Sequence, residues 1–183
     1  MRPALLASLP LMLLAGCAGL KAETTAPAAD PVAARADLIN GSGAAIGTAE
    51  FWRAPRGGTL IRVRATGLTP GEHGIHIHQN PVCEAPAFTT AGPHLERPGR
   101  DDPHGLLHPR GGEAGDLPNL MVGEDGVASA ALVSASVSPT PGTPAPSVVG
   151  RSIVIHAARD DQKTQPIGGS GDRIACGVIR APG

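Results

Sequence analysis

Residues 74–79 read Gly-Ile-His-Ile-His-Gln. Apolar and polar side chains alternate with a period of two, the pattern of a β-strand whose successive side chains point to opposite faces. Ile75 and Ile77 then share one face, and His76 and His78 share the other. One short strand therefore offers an apolar surface to a core and a pair of imidazoles on its reverse. The same alternation recurs over residues 46–52, 59–65, 127–133, 152–156 and 173–179, and more weakly over 37–40 and 120–122. Gly57-Gly58, Thr69-Pro70-Gly71, Glu124-Asp125-Gly126 and Pro141-Gly142 separate these runs, combinations that fix φ or tolerate positive φ and so mark turns. The spacing predicts an all-β fold, an eight-stranded antiparallel Greek-key barrel or sandwich.

Composition points the same way. The 183 residues include 25 Gly and 19 Pro, and in a helix interior each Gly costs roughly 1 kcal/mol and each Pro about 3 relative to Ala. A long helical bundle is excluded, and no helix is predicted. The length allows one modest domain. Sixteen acids against 15 bases leave a formal charge of -1 with no basic block, which argues against a nucleic-acid partner.

The N-terminus reads as an address. Met1-Arg2 precedes an apolar run too short to span a bilayer, which reads as an export signal over residues 1–16. The run closes on Leu14-Ala15-Gly16-Cys17, similar to the bacterial lipobox, in which the Cys carries the lipid; the alternative is an ordinary cleaved signal. Residues 17–37, rich in Ala, Thr and Pro without apolar period, are expected to form a lipidated start and flexible tether ahead of a domain over 38–183. The expected location is the bacterial cell envelope, in the periplasm or at the cell surface, with the membrane as a partner through the lipid on Cys17. Two cysteines remain, Cys83 and Cys176, which in an oxidising compartment read as one bridge, or otherwise as two inert buried thiols.

Two long connections, residues 80–119 and 157–172, interrupt the strand rhythm, and each begins beside histidines. Structureless loops of that length are usually functional. A third, residues 134–147, is Ser/Pro/Thr-rich and is expected to be a solvated loop. His94 in the first long loop and His156 at a strand end join His76 and His78 as candidate ligands. Imidazole suits copper, zinc, iron and nickel, so the ligand type alone does not select the metal.

The stretches GLTPGEHGIHIHQNPVCE (67–84), AGPH (91–94), HGLLHPRGGEAGDLPNL (104–120), GRSIVIHAARDD (150–161) and GSGDRIACGVI (169–179) resemble the copper-zinc superoxide dismutases, in the family's order, especially their exported bacterial branch. The resemblance implies that His76, His78, His94 and His156 bind copper, with His94 also bridging to zinc. It matches His104 and Asp116 to zinc-ligand positions. The family's remaining zinc histidine falls at Glu113, whose carboxylate is a permitted ligand that either keeps the site with altered charge or leaves it empty. His108 lies nearby, but its spacing does not match.

The resemblance further implies an outer carboxylate at Asp160 bonded to His76 and His104, a bridge between Cys83 and Cys176, and an arginine beside copper at Arg173 that receives the anionic substrate. Lys163 is a candidate contributor to the steering field. The implied reaction is disproportionation of superoxide to dioxygen and hydrogen peroxide, with His94 handling a proton. Two rivals use the same histidines. A copper-binding or copper-delivering lipoprotein needs the four imidazoles without Arg173, and a zinc hydratase resembling carbonic anhydrase also uses a His-x-His strand with water in an open position.

Overall fold

The computed structural model describes residues 30–182. The export segment, Cys17 and most of the tether lie outside the described residues. Nine strands follow one another: β1 (Ala34–Asn40), β2 (Ala45–Arg53), β3 (Thr59–Ala65), β4 (Gly71–His73), β5 (Ile75–His78), β6 (Leu120–Val122), β7 (Ala128–Ser134), β8 (Ser152–His156) and β9 (Arg173–Val178). All pairings are antiparallel, in the order β4-β6-β7-β3-β2-β1-β9-β8-β5, with crossovers joining β3 to β7 and β1 to β9. The first and last strands of that order are consecutive in the chain. β4 and β5 are one run bent at Gly74, so the sheet closes on itself as a nearly complete barrel.

The expected all-β antiparallel architecture is present, with two corrections. The strand count is nine, because the three-residue β4 begins at Gly71, inside a Thr-Pro-Gly sequence that signals only a turn. The first strand begins at Ala34, four residues before the predicted domain boundary. Ala34, Ala36 and Leu38 are buried while Arg35 and Asp37 are exposed, so the alternation is real, but alanines carry too little apolar surface to announce it. Among the described residues the only helical turn is a 3-10 turn over Thr89–Ala91.

Leu38, Phe51, Ile61, Ile75, Ile77 and Ile155 fill the barrel interior, each fully buried. Burial of such a side chain contributes roughly 1.5 to 3 kcal/mol. A smaller cluster of Phe88, Ala91, Val154 and Cys176 packs apart from this core, joined by Ile39 and Cys83. Cys83 and Cys176 form a disulfide across 93 residues, which ties the first long loop to β9. The loop over 134–147 is less solvated than expected: Val137 and Ser138 are buried, because the Thr59 hydroxyl donates to the Val137 carbonyl at 2.9 Å.

What positions the site is the edge of β5. One edge pairs with β8, Ile75 opposite Ile155 and Ile77 opposite Ile153. The first long loop covers the other: Leu95 N–H donates to the Ile77 carbonyl (2.8 Å), and Ile77 N–H donates to the Gly115 carbonyl (2.9 Å). Isolated bridges set His76 opposite Asp116 and His78 opposite His94. Gly115 must lack a side chain here, since a Cβ would run into the Ile77 carbonyl.

Candidate metal centre

His76 and His78 share the outer face of β5, and His94 is brought alongside by its bridge to His78. His156 arrives from β8, where a register shift after Ile155 re-aims the strand end. Its backbone N–H donates to Gly74 at the bend between β4 and β5 (2.8 Å). The four rings are buried and adjacent, with centroids 4.1 Å apart for His76 and His94, 4.8 Å for His78 and His94, and 4.9 Å for His76 and His156.

Each ring has one nitrogen engaged and one left over. His76 Nε2 donates to Asp160 Oδ2 (2.8 Å), His78 Nδ1 to the Gly92 carbonyl (2.9 Å), His94 Nδ1 to Glu113 Oε2 (2.7 Å) and His156 Nδ1 to the Gly171 carbonyl (3.0 Å). These partners only accept, so the engaged nitrogen carries the hydrogen and the other carries a lone pair. The remaining atoms, His76 Nδ1 and the Nε2 of His78, His94 and His156, are buried without a hydrogen-bond partner. Buried polar atoms without partners are rare, and four facing one point call for a shared cation. Ligand atoms from these four residues lie within 4.8 Å of one another, a group able to hold a metal ion.

Electrostatics keep most of these lone pairs free. Burial is the main cause that holds His76 down to about 4 and His156 to about 3, and it drives His78 lower still, with the Arg173 charge adding to the effect on His78 and His156. His94 departs from them. Burial pulls it down too, but the neighbouring carboxylates of Asp116 and Glu113 outweigh this and raise its pKa.

Beyond His94 stands a second group. His104 Nδ1 lies 2.9 Å from Asp116 Oδ1 and 3.0 Å from Glu113 Oε2, and its Nε2 lies 3.1 Å from Asp160 Oδ2. Asp160 therefore joins His76 and His104. Burial opposes protonation of His104, yet the adjoining carboxylates of Asp116, Asp160 and Glu113 push it up to about 11. Burial would raise Asp116 and Asp160, but the imidazoles beside them hold both well below the usual carboxylate range. His94, His104 and Asp116 also group with His76 within 4.8 Å. With its Nε2 committed to Asp160, His76 has Nδ1 alone to offer. His108 is in neither group; its Nδ1 accepts from the Arg110 backbone (3.2 Å).

Arg173 is fastened at both ends of its fork, Nη1 to the Phe88 carbonyl (2.8 Å) and Nη2 to the Gly92 carbonyl (2.7 Å). Gly92 thus accepts from both His78 and Arg173. The guanidinium helps line an open cavity of about 600 Å³ with Gly41, Pro86, Thr89, Gly171 and Asp172. Lys163 is exposed in the second long loop.

Sequence reasoning missed two amide clasps. The Gln165 side chain accepts from His104 N–H (2.8 Å) and donates to the His104 carbonyl (2.9 Å). Asn119 does the same for Asp160, accepting at 3.0 Å and donating at 2.8 Å. Each clasp holds the backbone of a buried charged residue, and nothing in periodicity or composition marks its partner, 61 residues away in the first case and 41 in the second.

The chain matches the family model described as copper/zinc superoxide dismutase (SODC) over residues 45–179. It is 43% identical over 143 residues to the Cu-Zn superoxide dismutase of Caulobacter vibrioides, covering 76% of this chain and 81% of the relative. It is 40% identical over 182 residues to that of Deinococcus radiodurans, covering 94% of each. Among solved structures, a SOD-like protein from Bacillus subtilis superposes with a TM-score of 0.72 at 34% identity, covering 78% of this chain and 95% of that one.

Proposed function

The chain belongs to the copper/zinc superoxide dismutase family, and on that premise we propose how its own residues serve the reaction. It is an oxidoreductase that converts two superoxide anions and two protons into dioxygen and hydrogen peroxide. His76 Nδ1 and the Nε2 atoms of His78, His94 and His156 would hold the copper ion, which would supply the one-electron couple that zinc lacks. The observation carrying this assignment is the convergence of those four buried nitrogens, each without any other partner. The peptide carbonyls of Gly92 and Gly171 and the Asp160 carboxylate fix which nitrogen of His78, His156 and His76 faces the ion.

Two further roles follow from the surroundings. His94, standing between the other three imidazoles and the carboxylates of Glu113 and Asp116, is the ring that would hold a proton for the product peroxide. Arg173, anchored on Phe88 and Gly92 beside the open cavity, keeps a fixed positive charge where a small anion enters. Arg173→Ala lowers kcat/KM by about tenfold and flattens its dependence on ionic strength, while copper content stays at the wild-type level. Stopped-flow measurement over a salt series checks this, and an unchanged rate rejects the steering role.

The protein is exported and anchored to the cell envelope by lipid on Cys17. Supporting this are the basic start, the short apolar run, the Leu-Ala-Gly-Cys sequence over 14–17, and a disulfide of the kind that persists in oxidising compartments. Cys17→Ser shifts the protein from the detergent phase to the aqueous phase on phase partition, with dismutase activity retained. Persistence of the variant in the detergent phase rejects the anchor.

A further inference from the structure

We propose that Glu113 is the fourth ligand of a divalent-cation site completed by His94, His104 and Asp116, so that the ion is held by two imidazole nitrogens and two carboxylate oxygens. The inference rests on the reading of His94 as shared between this site and copper. Three observations carry it.

The first is spacing. Glu113 Oε2 lies 2.7 Å from His94 Nδ1 and 3.0 Å from His104 Nδ1, and Asp116 Oδ1 lies 2.9 and 3.6 Å from His104 Nδ1 and His94 Nδ1. Four atoms about 2.0 to 2.2 Å from a tetrahedral zinc stand about 3.3 to 3.6 Å from one another, so a small outward movement admits the ion. The second is an atom without a proper partner. Asp116 Oδ2 accepts from the backbone of Gly105 (2.7 Å) and Glu113 (2.9 Å), whereas Oδ1 is buried, close to His104 Nδ1, and aligned for no hydrogen bond. Imidazole and carboxylate pressed together without alignment are arranged as co-ligands of something between them.

The third is charge. Glu113, Asp116 and Asp160 surround His104, with side-chain exposures of 13%, 0% and 0%. Two buried carboxylates and a partly buried third crowded around one imidazole need positive charge to be stable, and a divalent ion supplies it. The loop is braced for this purpose: Arg97 donates to the Gly112 carbonyl (2.8 Å), which fixes the backbone just before Glu113. With half its donors oxygen, the site also discriminates less sharply between zinc and harder divalent ions than a site with three imidazoles.

The experiment titrates Zn²⁺, against a competing chelator, into the full-length, disulfide-bonded, copper-loaded protein and its Glu113→Gln and Glu113→His variants. Co²⁺ then replaces Zn²⁺ to report coordination. The wild type takes up one zinc per chain beside copper and gives tetrahedral Co²⁺ bands. Glu113→Gln weakens zinc binding by at least about tenfold and alters those bands, and Glu113→His restores both. Wild-type zinc affinity with an unaltered Co²⁺ spectrum in Glu113→Gln overturns the assignment, as does a copper-loaded wild type that takes no zinc. A wild type holding zinc through Glu113 but no copper upholds the assignment and overturns the copper reading instead.

Discussion

His156→Ala abolishes superoxide consumption and copper uptake together, and His78→Ala does the same. Each removes one of the four buried nitrogens that face a common point, and no other described side chain in that group can replace it. The half-buried His108 is the control: it stands outside both ligand groups, so His108→Ala retains full activity. Thermal unfolding separates this effect from general damage. The Nε2 removed from His156 has no partner in the fold, and the strand is held by its own ladder and by the His156 N–H bond to Gly74. The metal-free variant therefore melts close to the metal-free wild type, while the stabilisation that copper gives the wild type is lost. Copper stoichiometry, activity and melting curves with and without copper check the prediction. Full activity in either histidine variant defeats the ligand assignment.

The second large effect falls on stability. Replacing Cys83 and Cys176 with Ser frees the unfolded chain from a closure spanning 93 residues, worth about 4 to 5 kcal/mol in the chain-entropy account. For a domain of this size the midpoint falls by on the order of 10 °C. The loss is also local. Cys83 begins the segment that carries Phe88 and Gly92, whose carbonyls hold Arg173, and Phe88 packs in the small cluster with Cys176. Freed from β9, the segment positions Arg173 less well, so kcat/KM falls even where the protein remains folded. Calorimetry of the double variant tests this, and an unchanged midpoint refutes it.

Much of this architecture is legible in the sequence, and the exceptions share physical causes. Ile75 and Ile77 against His76 and His78 announced β5 and its two faces, because the strand period of two is written directly into side-chain polarity. β4 was invisible because three residues cannot display a period. The start of β1 was missed because Ala34 and Ala36 fill close-packed space without looking apolar. The four ring positions were legible through family motifs, but the acceptors that orient the rings, the carbonyls of Gly92 and Gly171, belong to the main chain and leave no trace in residue identity. The same holds for the Gln165 and Asn119 clasps, whose partners are set by how two loops meet. Glu113 is readable as a departure from pattern, yet only its distances to His94 and His104 make it a candidate ligand.

Gly74 joins the two margins of the sheet, β4 on one side and β5 on the other, two positions upstream of His76. Because that joint is covalent, the wall cannot gape along its seam as an open sheet can. Three of the four candidate copper ligands, His76, His78 and His156, thereby sit on strands of one closed shell, and only His94 depends on a loop for its position.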